Sequence, residues 1–331
     1  MTSGEVIKIS KKDNSVKYIK KEPVTTTDIF NFQKIENELE ETEKGILKKE
    51  NINKKKKKVK LSKATFKDCE RDDGLHLNLQ YVTEEYEDIT TLHLPMEIQE
   101  RKDLVPTKLL CDYLEMLESV WVFNHEFMCR SKIDAIFACA LRSHANGQKS
   151  KLRAFGEVNN SCETAGVSYR GFVDYMIGSG QFKDSPASKI DSFIIAVEAK
   201  REWPDQAVAQ VITEAGCLLK NRLKAGKKTP VFAILTNSRF FKFYAIDIKG
   251  VVYSSGSEIK LVKGKSWESS KSLKLIWKWL YWFFNSMKLI SPRCSTTELS
   301  DERINENIEA ISKHFGSEQS DQDGFDRVST E

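Results

Sequence analysis

Histidine is scarce and cysteine is scattered in this 331-residue chain, which has five histidines and seven cysteines. Cysteines 69, 111, 129, 139, 162, 217 and 294 form no CxxC pair and no short Cys/His spacing. That argues against a structural zinc site and a disulfide framework, and an odd count fits a reducing compartment. GxxxxGK[ST], GxSxG and HExxH are all missing, so a P-loop, an esterase triad and a zincin find no support. Long apolar runs are also lacking. The most hydrophobic stretch, Leu273–Ile290, is interrupted by Lys274, Lys278 and Lys288, and charges at those depths argue against a membrane span. The first residues, MTSGEVIKISKKDNSVKYIKKE, hold no apolar core of a secretory signal. These absences lead us to expect a soluble intracellular protein, nuclear or cytoplasmic.

A strong charge of one sign is lacking overall, with a net +4, but the ends differ. Residues 1–63 hold 17 Lys/Arg against 10 Asp/Glu, and residues 295–331 hold 3 against 10. A basic head and an acidic tail around a neutral middle suit a chain that meets nucleic acid. Within the head, Lys54, Lys55, Lys56, Lys57 and Lys58, then Lys60, make a dense basic run. It fits a nuclear-import signal read by an import receptor, a patch for phosphates, or a solvated linker. The expected organisation is a disordered basic arm over 1–65 and a strand or linker region over 66–100. A domain over 101–291 and an acidic flexible tail over 292–331 follow. The arm holds one loosely spaced short helix near Ile29–Leu47, and the tail one weak helix over Glu298–Phe315.

The middle has α/β texture. LHLNLQYV (75–82) alternates like a strand, Pro106 opens a helical segment LLCDYLEMLESVW, and a second helix spans about 126–144. KLRAFGEV, YRGFVDYMIG and SFIIAVEAK are three β-rich runs. A helix over 204–223 follows, then strands TPVFAILTNS, FFKFYAIDI and GVVYSS, and a last helix over about 271–287. The order α-β-β-β-α-β-β predicts a mixed sheet flanked by helices. Trp277, Trp279, Trp282, Phe283 and Phe284 in the last helix could stack bases, but aromatics at helical spacing fit a core better.

Chemistry concentrates on two strands. Asp174 lies late in RGFVDYMIG, and Glu198 and Lys200 close SFIIAVEAK on one strand face. If the strands pair, Asp174 stands beside Glu198. Two such carboxylates repel unless a cation intervenes, and oxygen-only ligands favour Mg2+ or Mn2+. A neighbouring Lys ammonium can position a metal-bound water and offset phosphate charge. The structural alternative is a strand-end Glu–Lys ion pair with Asp174 capping a turn. Gln206, Gln210 and Glu214 share a helix face opposite the apolar stripe; Gln210 is expected to turn towards the site, Gln206 and Glu214 towards solvent. Glu126, behind the N-cap candidate Asn124, is a third metal-ligand candidate, and Glu157 its rival. Arg170 and Arg201 flank the face, where either could hold a phosphate. His125 and His144 lack a partner at metal spacing and fit structural roles better.

D…ExK across adjacent strands after a helix resembles the PD-(D/E)xK, or restriction-endonuclease-like, nuclease superfamily. RGFVDYMIG…SFIIAVEAKR…AVAQVITEA…PVFAILTNSRFFKFYAID is similar to fungal restriction-endonuclease-like proteins, some of them Crinkler-type C-terminal domains. The resemblance covers about residues 120–290. It implies a restriction-endonuclease-like core in which Asp174 and Glu198 bind the metal, helped by the Ala199 carbonyl, and Lys200 serves the water. It also implies a carboxylate from the first helix, matched by Glu126, and a Gln from the helix after ExK, matched by Gln210. Val173 stands where the motif has its proline, and residues 1–60 show no Crinkler-type header. The expected activity is Mg2+- or Mn2+-dependent cleavage of nucleic acid, DNA before RNA, with homodimerisation left open. The alternative is a degenerate nuclease fold that only binds nucleic acid or protein.

Overall fold

Seven consecutive buried residues, Phe193–Ala199, form strand β4, which is covered on both faces. Continuous apolar runs of this kind belong to the middle of sheets with helices on either side. The computed structural model describes residues 56–82, 90–123, 126–145, 151–179, 193–200, 205–292, 294–295 and 298–316. The side chains of Glu126, Phe127 and Asp205 are outside that description. So are Lys54, Lys55, Asn124, His125, Arg201 and the helix expected near residues 29–47.

The eight strands of the mixed sheet are β1 (Lys57–Lys60), β2 (Leu152–Glu163), β3 (Val167–Ser179), β4, β5 (Val231–Thr236), β6 (Phe240–Ile246), β7 (Val252–Ser254) and β8 (Ile259–Lys260). β2 and β3 form a long antiparallel hairpin, and β4 lies antiparallel to β3 over Tyr175–Gly178. β5 runs parallel to β4. A parallel neighbour requires a crossover, and here it is helix α5 (Asp205–Lys224). β6 returns antiparallel and carries β7 and β8 along its other edge. The expected mixed sheet flanked by helices is present.

The helices before the crossover are α1 (Phe66–Glu70), α2 (Met96–Gln99), α3 (Lys108–Val120) and α4 (Glu126–His144); α6 (Lys271–Ile290) and α7 (Asp301–Ser312) follow the strands. α3, α4 and α6 cover one face, where Ile195, Val197, Ile234, Phe241 and Phe243 point. The aromatics of α6 serve the core: Trp279 stacks on Phe243 at 5.1 Å and Phe283 meets Phe232 at 4.4 Å. Each such pair adds about 0.5–1.5 kcal/mol beyond area burial. Ser270 caps α6 by accepting from Leu273 N at 3.1 Å, and Thr107 caps α3 by accepting from Leu110 N at 3.3 Å. The other face is covered by α5, packed against Ala196, Ala233, Leu235 and Tyr244.

Three expectations are corrected. Lys57–Lys60 is not part of the disordered arm expected over 1–65. It pairs parallel with Val167–Arg170 of β3, Val59 is buried, Lys57 bonds Asp68 at 2.6 Å and Lys56 pairs with Glu163 at 3.3 Å. One buried valine and a free strand edge are enough to draw a lysine run into a sheet, because the lysines stay at the surface. Residues 75–82 are not a strand. Leu75, Leu77 and Leu79 are buried over α5, but only Asn78 bridges, to Val251. A side chain at Gly216 of α5 would lie 2.8 Å from Leu77 Cδ1, so glycine permits this close approach. The helix expected over 298–315 is present as α7, but it is docked and not mobile: Ile311 is buried and Asn307 donates to Leu289 O at 2.8 Å. Among the described residues no helix is long and apolar enough to cross a membrane.

Candidate active site

Strand alternation breaks at Asp174. Tyr169 and Val173 face α5, whereas beyond Asp174 it is Met176 that does so, while Tyr175 and Ile177 turn to the opposite face. Directly across, Glu157 adopts φ 51°, a left-handed conformation that costs a non-glycine residue energy and concentrates at functional positions. The slip frees the Asp174 side chain to reach along the sheet. Its Oδ2 accepts a hydrogen bond from Ala199 N at 2.7 Å, tying it to the residue between Glu198 and Lys200. β3 and β4 thus bring the three residues together, as strand pairing predicts.

Glu198 is 1% exposed and points to the α5 side, where its carboxylate is ion-paired with Lys200. Burial and then the Asp174 charge push its pKa up to about 7, and Lys200 opposes the rise. Gln210 is buried and donates from Nε2 to Glu214 Oε1 at 2.8 Å. Glu214, expected to face solvent, is fully buried and within hydrogen-bonding reach of Glu198. Burial and then Glu198 hold its pKa well above the carboxylate range. Oε2 of Glu198 and Oε2 of Glu214 are both buried without a donor among the described residues. Two such oxygens need a proton or a cation between them.

Arg130 of α4 is a participant that sequence reasoning missed. Its guanidinium bonds Asp174 Oδ1 at 2.5 Å and Glu157 Oε1 at 2.6 Å. Glu157 is thereby a partner of Arg130, with its own side chain largely exposed. One helical turn before Arg130, Glu126 opens α4; a spacing of four residues sets both on one helix face, the only sequence signal that could have found Arg130. Gln206 is exposed and donates to Ser62 O, as expected of a solvent-side residue. Arg170 is exposed and pairs with Glu163, away from Glu198. His144 is buried edge-on to Tyr281 at 5.3 Å and Phe284 at 5.9 Å, and burial followed by Lys288 lowers its pKa to about 4.

Asp174, Glu198 and Glu214 carry only oxygen donors, the type that a hard divalent cation takes. Besides burial, the Asp174 charge raises the pKa of Glu198 and the Glu198 charge raises that of Glu214. Among the described residues no group of three or more acidic, cysteine or histidine side chains converges closely enough to hold a metal alone. Magnesium does not demand one, because it is usually held by one or two carboxylates plus water and phosphate oxygens. No protein-family model matches the chain, and no curated protein matches its sequence.

Proposed function

We propose that this protein is a metal-dependent phosphodiester hydrolase of the restriction-endonuclease type, with DNA as its substrate. The observation that carries the reading is the convergence of Asp174, Glu198 and Lys200 across β3 and β4, fixed by the Ala199 N–Asp174 hydrogen bond. Asp174 and Glu198 would hold Mg2+ or Mn2+, which when bound supplies Lewis acidity towards a phosphate oxygen and a lowered pKa for water. Lys200, with 29% of its side chain exposed, is open enough to orient the attacking water and to offset charge on the phosphate. Gln210 acts on this centre through Glu214 and not by touching substrate. Arg130 screens Asp174 and, on binding, transfers its guanidinium to a phosphate, for which its planar fork is suited. Purified protein is expected to nick or degrade DNA with Mg2+ or Mn2+ and to stop in EDTA. A Lys200→Ala variant as active as wild type in that assay would defeat the reading.

One observation favours a second reading, a degenerate nuclease fold that only binds nucleic acid. Arg130 already provides Asp174 with a cation, at 2.5 Å. In a binder of that kind, Arg130→Met would unfold more easily and metal would not restore it; in the hydrolase, added Mn2+ restores its stability. Nuclear import through Lys54–Lys60 would need an extended, accessible segment, whereas Lys57–Lys60 is hydrogen-bonded into the sheet. That placement favours phosphate contacts for the exposed lysines. Their replacement by Gln should flatten the salt dependence of DNA binding and leave localisation unchanged.

A further inference from the structure

Lys242 lies on β6 with its side chain on the α5 side of the sheet. Its neighbours Phe241 and Phe243 belong to the α6-side core, and Tyr244 and Ile246 to the α5-side core, so alternation assigns the face. In register it pairs with Leu235 of β5, and Leu235 pairs with Glu198 of β4. Glu198, Leu235 and Lys242 therefore form one row across three strands, with their backbones two strand spacings, roughly 10 Å, apart. Lys242 is 8% exposed, and among the described residues no carboxylate forms an ion pair with it. Its ammonium stands 5.9 Å from the centre of the Tyr244 ring. Two acids of the site have their own cations, Glu198 in Lys200 and Asp174 in Arg130, and Glu214 is held by the neutral Gln210.

A buried ammonium without a counter-ion is unfavourable, and an anion arriving beside it would offset that cost. We propose that Lys242 is a phosphate subsite beside the hydrolytic centre, holding the phosphate next to the one attacked at Glu198 and Lys200. The identity of the anion rests on the hydrolase reading; the placement of the charge does not. The point-charge character of an ammonium suits a phosphate whose orientation the centre itself fixes.

The test uses the full chain in EDTA, with a short fluorescein-labelled DNA oligonucleotide as probe across a salt series. Lys242→Met, close in length and shape, should weaken binding about tenfold and lower the salt slope by about one, the signature of one lost phosphate contact. Lys242→Arg should keep both. Without DNA the methionine variant should melt at or above the wild-type temperature, because an uncompensated charge has been removed. Wild-type affinity and slope in Lys242→Met would overturn the subsite, as would a wild type that binds no oligonucleotide. A lower melting temperature with unchanged affinity would make Lys242 a structural residue. A wild type that binds in EDTA but does not cleave once Mg2+ is added back defeats only the hydrolase reading. An active wild type with an unaffected Lys242→Met variant defeats only the subsite.

Discussion

The two faces of the sheet are built of different material. Against α6 the strands present Phe232, Ile234, Phe241 and Phe243 to Trp279, Trp282 and Phe283, an apolar and aromatic layer. Against α5 the same strands present Glu198 and Lys242 among the alanines, valines and leucines, and the helix answers with Gln210 and Glu214. Burying those polar groups is unfavourable unless each is satisfied, and two carboxylate oxygens there are not. One face is packed for cohesion, and the other buries the polar groups of the proposed site.

The largest effect should come from the cohesive face. Phe283→Ala removes a fully buried ring that meets Phe232, Phe243 and Trp279 and is expected to cost about 3–5 kcal/mol in chemical unfolding. A loss under about 1 kcal/mol would remove the contrast. On the other face the sign should reverse. Glu214→Gln relieves repulsion between buried carboxyls and should leave stability unchanged or raise it by about 1–2 kcal/mol. Cleavage should fall in the same variant. Destabilisation by more than about 2 kcal/mol would show that Glu214 is structural.

The pH dependence sharpens the same contrast. Glu198 has its pKa raised to about 7 from the ordinary 4.5, so between those values the folded state binds more protons than the unfolded state. The linkage slope is then negative, and this contribution to stability is full below about pH 4.5 and lost as pH rises towards about 7. Urea midpoints in metal-free buffer should show this fall, and Glu198→Gln should flatten it. A smaller effect is expected at the N-terminus of a helix in the cohesive layer. Thr107→Ala removes the cap of α3 and should cost about 1 kcal/mol, read as a small drop in urea midpoint with cleavage unchanged.

The sequence carried the chemistry more legibly than its surroundings. Asp174, Glu198 and Lys200 could be joined because two apolar runs ending in carboxylates define adjacent strands, and the aromatic helix could be assigned to the core by spacing. Glu214 was misread because α5 is amphipathic on a two-faced analysis, whereas residues 61–79 cover its second side through contacts such as Cys69 Sγ to Thr213 Oγ1 at 3.1 Å. Burial by a distant segment leaves no local trace. Arg130 left only its spacing from Glu126 as a signal, since an arginine on a helix resembles surface charge until a strand irregularity turns Asp174 towards it. Lys57–Lys60 was misplaced because charge density signals solvent, while edge pairing uses backbone alone.

The central claim, that Asp174 and Glu198 hold a catalytic cation, is tested most directly by titrating Mn2+ into wild type, Asp174→Asn and Glu198→Gln and following heat in a calorimeter. A saturable isotherm in wild type, weakened at least about tenfold in each variant, is the predicted result. No binding by wild type, or one isotherm shared by all three proteins, would contradict it.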